Sequence, residues 1–308
     1  MIEQQRVTRY LQFSHLSQFS ELAHGIFTRH GGHSQGYYEG LNTSTTLKTA
    51  TENGDKIANV IRNRKLVLSS LGIADYPAVS VWQVHGADVA TVTMQDGWRT
   101  DWSHDSYYFR SWEPAAVRKA DALITQEREI ALALSFADCT PILFYDPVEQ
   151  AIGIAHGGWR GTARGIVMAT IDALQERFGC QPQNIYAGIA PAIGPCCYEV
   201  SSMVRDIFMG KQEFDERPIA DQYRDRVRKS AQFTTVRMAN GRESLRLDVQ
   251  GTNRGQLLLS GILPEHIETL EICTSCQKED FFSHRGHAGK TGRFPVVIAL
   301  RSRERVQL

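Results

Sequence analysis

Between residues 122 and 155 four short apolar stretches follow in quick succession, at 122–125, 130–136, 142–145 and 152–155. Stretches this short, set between turns, have the length of strands rather than helices. Asp146-Pro147 joins the last two as a hairpin turn. Further strands are predicted over 79–83, 89–93 and 295–300. Strands clustered in this way, with the helices kept apart, predict α+β layers rather than a doubly wound parallel sheet.

The predicted helices flank these strands. One runs from about residue 55 to 71, with Ile57, Val60, Ile61, Leu68 and Leu71 on one stripe, Asn53 as its cap and Gly72 at its end. A second repeats Ile166, Thr170, Leu174 and Phe178 on one face and closes at Gly179; shorter ones cover 202–208 and about 251–261. No repeat, low-complexity tract or linker divides the 308 residues, which read as one domain, 1–308. Residues 98–118 stand apart as an aromatic-rich loop insertion, with Trp98, Trp102 and Trp112 set among Asp, Ser, His and Arg and no clear period. It is either a lid that stacks on an aromatic ligand or an insertion packed on the domain.

Lys+Arg and Asp+Glu are equal at 34 each, so charge supplies no argument for nucleic acid or an anionic membrane as partner. The first residues are polar, and the longest apolar run, 130–134, is too short to span a bilayer. A soluble cytoplasmic protein is expected. Six cysteines do not make a disulfide scaffold in a chain of this length, and the adjacent Cys196 and Cys197 are poorly placed to bridge each other. Cys273-x-x-Cys276 is half of a structural zinc site, a redox pair, or two ordinary thiols at a strand end; no second CxxC completes it.

Three segments set a metal-competent side chain at a strand end beside glycine or proline: Gln83-Val84-His85-Gly86, Ala137-Asp138-Cys139-Thr140-Pro141, and His156-Gly157-Gly158-Trp159-Arg160-Gly161. Singly, each His or Cys would be a satisfied core residue. Together they offer two imidazoles and a thiol, the donors zinc prefers, with a fourth position open. The glycine corner after His156, leading into a helix from about Thr162, also exposes backbone N–H groups for an anion, with Arg160 and Arg164 beside it; otherwise the glycines only allow close packing. Copper is the other candidate metal. A blue-copper loop, however, would need a His and a Met soon after Cys139, and the ten histidines include no His-x-His pair for a trinuclear cluster.

Taken in order, these segments resemble one family, the YfiH-type proteins, described as laccase-like multicopper polyphenol oxidases and as purine nucleoside phosphorylases. The resemblance rests on Gln-x-His-Gly, Ala-Asp-Cys and His-x-Gly-Trp-Arg-Gly, together with 27–32, Leu41-Asn42, Asn63-Arg64, 120–125, 191–200, Cys273-Thr274 and 281–293. It implies a single-domain α/β/β/α sandwich, similar to the catalytic domain of cytotoxic necrotizing factors, and often a monomer. It implies zinc on His85, Cys139 and His156, and phosphorolysis of adenosine, inosine, guanosine and S-methyl-5′-thioadenosine, with adenosine deaminase activity at the same site. On this reading phosphate belongs at the corner of Gly157 and Arg160, helped by Arg29 and Arg64. Asn42 is a further donor towards substrate. Asp138 is a proton carrier or a structural cap of nearby N–H groups. The alternatives are a copper-dependent polyphenol oxidase and a zinc module without turnover; an open coordination position argues against the latter.

Overall fold

The computed structural model describes residues 7–44, 55–93, 119–214 and 216–302. The aromatic segment and the expected cap Asn53 lie outside them. Two sheets form the centre. The first orders β1 (Tyr10–Leu11), β2 (Leu22–Phe27), β13 (Phe294–Leu300), β6 (Ala131–Phe136) and β3 (Ala78–Val79). The second orders β12 (Ile267–Thr269), β9 (Tyr186–Ile189), β7 (Thr140–Asp146), β8 (Ala151–Gly157), β5 (Ala122–Thr125) and β4 (Val89–Thr91).

Side-chain parity shows how the layers stack. In β13 and β6, Val296, Ile298, Leu132, Leu134 and Phe136 share a core with Leu143, Tyr145, Ile152 and Ile154 of β7 and β8, so the sheets meet face to face. The alternate residues Ala131, Ala133, Val297 and Ala299 pack on helix α2 (Ile57–Ser70). On the opposite side Ile142, Phe144 and Ala155 pack on α4 (Ile166–Phe178) and α7 (Val249–Leu259). The result is the expected α/β/β/α order. Gly72 and Gly179 end their helices at φ +68° and +76°, the left-handed conformation that favours glycine at a helix stop.

Some expectations shift. The strand expected over 79–83 ends at Val79, after which the chain leaves the sheet towards His85. The stripe of α2 is also not purely apolar. Ile57 is exposed, while Asn63 and Arg64 are buried beside Val60, Val67 and Leu68. Helix α6 (Asp221–Ser230) and the hairpin β10 (Phe233–Arg237) with β11 (Glu243–Leu247) are mostly polar, with few apolar residues to mark their inward faces. Their few inward residues, Tyr223, Val227 and Leu247, join α5 (Ser202–Phe208) in a separate small core. Among the described residues no helix is long and apolar enough to cross a membrane.

Candidate metal centre and active site

The parity that turns Ile152 and Ile154 inwards carries His156, at the end of β8, to the rim of the core between the sheets. There its ring lies 5.6 Å from that of Phe136. The His156 amide donates to the Asp121 carbonyl at 2.7 Å, and Nδ1 donates to Asp121 Oδ1 at 2.8 Å. That second bond fixes the tautomer and leaves Nε2 for a ligand. Asp121 does more than this. Its fully buried carboxylate accepts from the His85 amide at 2.9 Å on Oδ1, and from the amides of Val84 and Gly86 at 3.2 and 2.6 Å on Oδ2. One side chain therefore orients both imidazoles.

Cys139 sits in the turn that leaves β6 of the first sheet and enters β7 of the second. His85 and Asp138 hold the two loop ligands at φ 60° and 85°, a region non-glycine residues enter only when their surroundings hold them there. Asp138 is held by Thr274 Oγ1 at 2.7 Å on Oδ1 and by the Arg285 amide at 2.6 Å on Oδ2. Both oxygens are thus engaged, which favours the structural alternative for this carboxylate over proton transfer.

The ligand atoms of His85, Cys139 and His156 lie within 4.8 Å of one another, with Cys139 Sγ 3.8 Å from His85 Nε2. Sulfur and nitrogen on a tetrahedral zinc stand roughly 3.5 Å apart, so the three could hold that ion with small adjustments. Burial disfavours charge on both Cys139 and His156, but their mutual attraction prevails. It holds the Cys139 thiol down to about 6 and, with the Asp121 hydrogen bond, the His156 imidazole up to about 9. Burial likewise works against an ionised Asp121, yet the bond from His156 keeps its carboxyl below the ordinary range. A sulfur ionised this readily is suited to a metal. Gly158 closes the cradle. A Cβ there would stand 2.9 Å from Cys139 Sγ and 3.0 Å from His85 Cδ2.

The other candidate residues divide. The helix after the glycines begins at Trp159 rather than near Thr162, as the short α3 (Trp159–Ala163). Arg160 is exposed, with its guanidinium 4.4 Å above the Trp159 ring. Arg164 is committed to bracing the loop of His85, whose carbonyl accepts from Nη1 at 3.1 Å. Gly157 is buried against Ile142 and Asn253, a packing position. Arg29, Asn42 and Arg64, expected to reach substrate, each make hydrogen bonds that tether neighbouring backbone or side chains. Arg64 donates from Nε and Nη2 to the Thr43 carbonyl, at 2.8 and 2.6 Å. Asn42 donates to Asp55 and accepts from the Arg293 amide. Arg29 donates to the carbonyls of Lys278 and Glu39.

Two residues not singled out in the sequence lie in the field of the centre. Burial raises the Tyr198 hydroxyl, as do the charges of Cys139 and Asp138, against Arg285 and Arg160. Burial lowers Arg293, while Cys139 and Asp138 support its charge. Arg293 lies in the matching stretch 281–293, and the fold brings its amide back onto Asn42 Oδ1 at 2.9 Å.

A family model described as multi-copper polyphenol oxidoreductase laccase matches residues 23–301. The purine nucleoside phosphorylase YlmD of Geobacillus stearothermophilus is 36% identical over 283 residues, 92% of each chain. The purine nucleoside phosphorylase LACC1 of Homo sapiens is 32% identical over 190 residues, 60% of this chain and 39% of that one. Among solved structures, YlmD from Geobacillus stearothermophilus superposes with a TM-score of 0.75 at 33% identity, covering 98% of both chains. The hypothetical protein YfiH of Bacillus licheniformis gives 0.76 at 33% identity, covering 96% of this chain and 99% of that one.

Proposed function

The chain belongs to the YfiH-type family of multi-copper polyphenol oxidoreductase laccases, and from that premise we propose that it is a zinc-dependent purine nucleoside phosphorylase. Its substrates are adenosine, inosine, guanosine and S-methyl-5′-thioadenosine with phosphate, and it deaminates adenosine at the same site. It works as a cytoplasmic monomer, with residues 98–118 as an insertion on one domain. The observation that carries this reading is the convergence of two imidazoles and one thiol, His85, His156 and Cys139, on one point. Three protein donors leave a fourth position open, unlike a structural zinc site.

Zinc held there supplies Lewis acidity at that open position. The chain's own residues do the rest. Asp121 keeps both imidazoles aimed, and Asp138 holds the turn of Cys139 against Thr274 and Arg285. Phosphorolysis joins a phosphate oxygen to the ribose C1′ as the bond to the purine breaks, so an anion must be held under the sugar. Arg160, cationic and exposed beside the glycine corner, is the residue we assign to it.

The test is hypoxanthine formed from inosine over a phosphate titration, run beside ammonia release from adenosine. A guanidinium–phosphate bond contributes about 1.5–3 kcal/mol, so Arg160→Ala should weaken apparent phosphate affinity by roughly tenfold or more, with less effect on deamination. Hypoxanthine released equally fast without phosphate would mean hydrolysis and would reject the phosphorylase. The family description also names copper and phenol oxidation. Metal analysis of protein made without added metal, with oxygen uptake on a phenol, separates that reading.

A further inference from the structure

The described residues bring together a second set of metal-competent side chains, from parts of the chain far apart in sequence. We propose that Cys196, Cys197, Cys273 and Cys276 form a tetrathiolate site for one structural zinc ion.

The four sulfurs lie within 4.8 Å of one another, and Cys276 Sγ is 3.5 Å from both Cys196 Sγ and Cys197 Sγ. Four sulfurs at about 2.3 Å from a tetrahedral zinc stand about 3.8 Å apart, so the ion needs only small movements of the thiols. Sulfurs this close together suit a single ion. The missing partner of the Cys273-x-x-Cys276 pair is thus not a second CxxC but the adjacent pair Cys196-Cys197.

The backbone around the four is shaped for ionised sulfur. The Gly194 amide donates to Cys273 Sγ at 3.2 Å, the kind of bond that orients and stabilises a thiolate ligand. A Cβ on Gly194 would stand 3.2 Å from Cys273 Cβ and 3.3 Å from Cys196 Sγ, so glycine lets the turn approach the sulfurs without crowding them. The amides of Cys197 and Tyr198 close that turn on the Gly194 carbonyl, and the Gln277 amide closes the other on the Cys273 carbonyl. The Thr274 amide joins the two turns through the Ala192 carbonyl.

Four thiolates close the coordination sphere, which makes the site structural rather than catalytic. Its place gives it a task. One turn carries Tyr198, and the other carries Thr274, whose hydroxyl holds Asp138 next to the ligand Cys139. Zinc on the four cysteines would staple together one wall of the candidate active site.

The experiment uses the full chain, purified anaerobically under reducing conditions with zinc supplied. About two zinc ions per chain are expected. His85→Ala/Cys139→Ser should lose one of them, and Cys196→Ser/Cys276→Ser the other, binding at the second site at least tenfold more weakly. Cobalt loaded into His85→Ala/Cys139→Ser should give the intense thiolate charge-transfer absorption of a four-sulfur site, abolished by adding Cys276→Ser. A folded Cys196→Ser/Cys276→Ser protein with undiminished zinc overturns the proposal. Should that variant not fold, the unsubstituted chain decides. Zinc must shield all four cysteines from alkylation and a chelator must unmask them; equal reactivity in both states, or a disulfide within the set, overturns it.

Discussion

At the scale of single residues, Asp121 organises the candidate metal centre without being one of its three candidate ligands. It gathers the amides of 84–86 and the imidazole of His156, so it sets the aim of two ligands at once. An amide in its place would turn an NH2 donor against groups that are themselves donors. Asp121→Asn should therefore lower zinc affinity by roughly tenfold to a hundredfold while His85, Cys139 and His156 are all still present. Competition with a chromophoric chelator measures this, and an unchanged affinity would mean that the imidazoles are aimed by other contacts. Of this arrangement the three metal-competent side chains were visible in the sequence as His and Cys at strand ends beside glycine or proline, and the family resemblance joined them into one candidate set. Asp121 was not, since a lone acid at the start of an apolar strand reads as surface until the fold buries it.

At the scale of elements, β2 carries a titratable group into the core. His24 is buried; its Nε2 accepts from the Phe13 amide at 2.9 Å and its ring stacks on that of Phe13. Burial, with the charge of His15, lowers it to about 4. Above about pH 6.5 the ring is neutral in both folded and unfolded chains, and its contribution to stability is complete. As pH falls from 6.5 towards 4 only the unfolded chain takes up the proton, so stability is lost, by about 2 kcal/mol at pH 5 and about 3 kcal/mol by pH 4. Urea unfolding at pH 7 and pH 5 should show this drop, and His24→Gln, which keeps an acceptor but does not titrate, should flatten it. An equally steep drop in the variant would assign the acid sensitivity to other groups. The same strand shows why elements were missed. Leu22–Phe27 is buried on both faces and interrupted by His24 and Gly25, so it has neither the alternation of a half-exposed strand nor an unbroken apolar run. Helix α6 fails for a different reason: most of its residues are charged and its buried stripe holds only Tyr223, Val227 and Ser230.

At the scale of the whole molecule, the three candidate ligands come from different parts of the layered fold. Cys139 comes from the crossing between the two sheets, His156 from a strand of the second, and His85 from the segment that leaves the first sheet at β3 and enters the second at β4. An ion bound only by the folded chain stabilises it, by about 2.7 kcal/mol at a free concentration a hundred times its dissociation constant. Chelation should thus lower the thermal midpoint by several degrees, and His85→Ala/Cys139→Ser should shrink that shift. A shift of equal size in the variant would place the stabilising ion elsewhere, with the four cysteines as the site to examine. The sequence alone determined the strand-length apolar runs, the glycine stops of two helices and the layered class, which are local signals of length and period; it also marked His85, Cys139 and His156 as metal-competent, while their assignment as one ligand set rests on the family resemblance. Tertiary structure decided which strands share a sheet, which face of β8 aims His156 inwards, and which residues become tethers. Neighbouring segments such as β6 and β7 part into different sheets, and distant ones such as 196–197 and 273–276 meet. These outcomes depend on long-range burial and pairing, where each side chain's environment is supplied by residues far away in the chain.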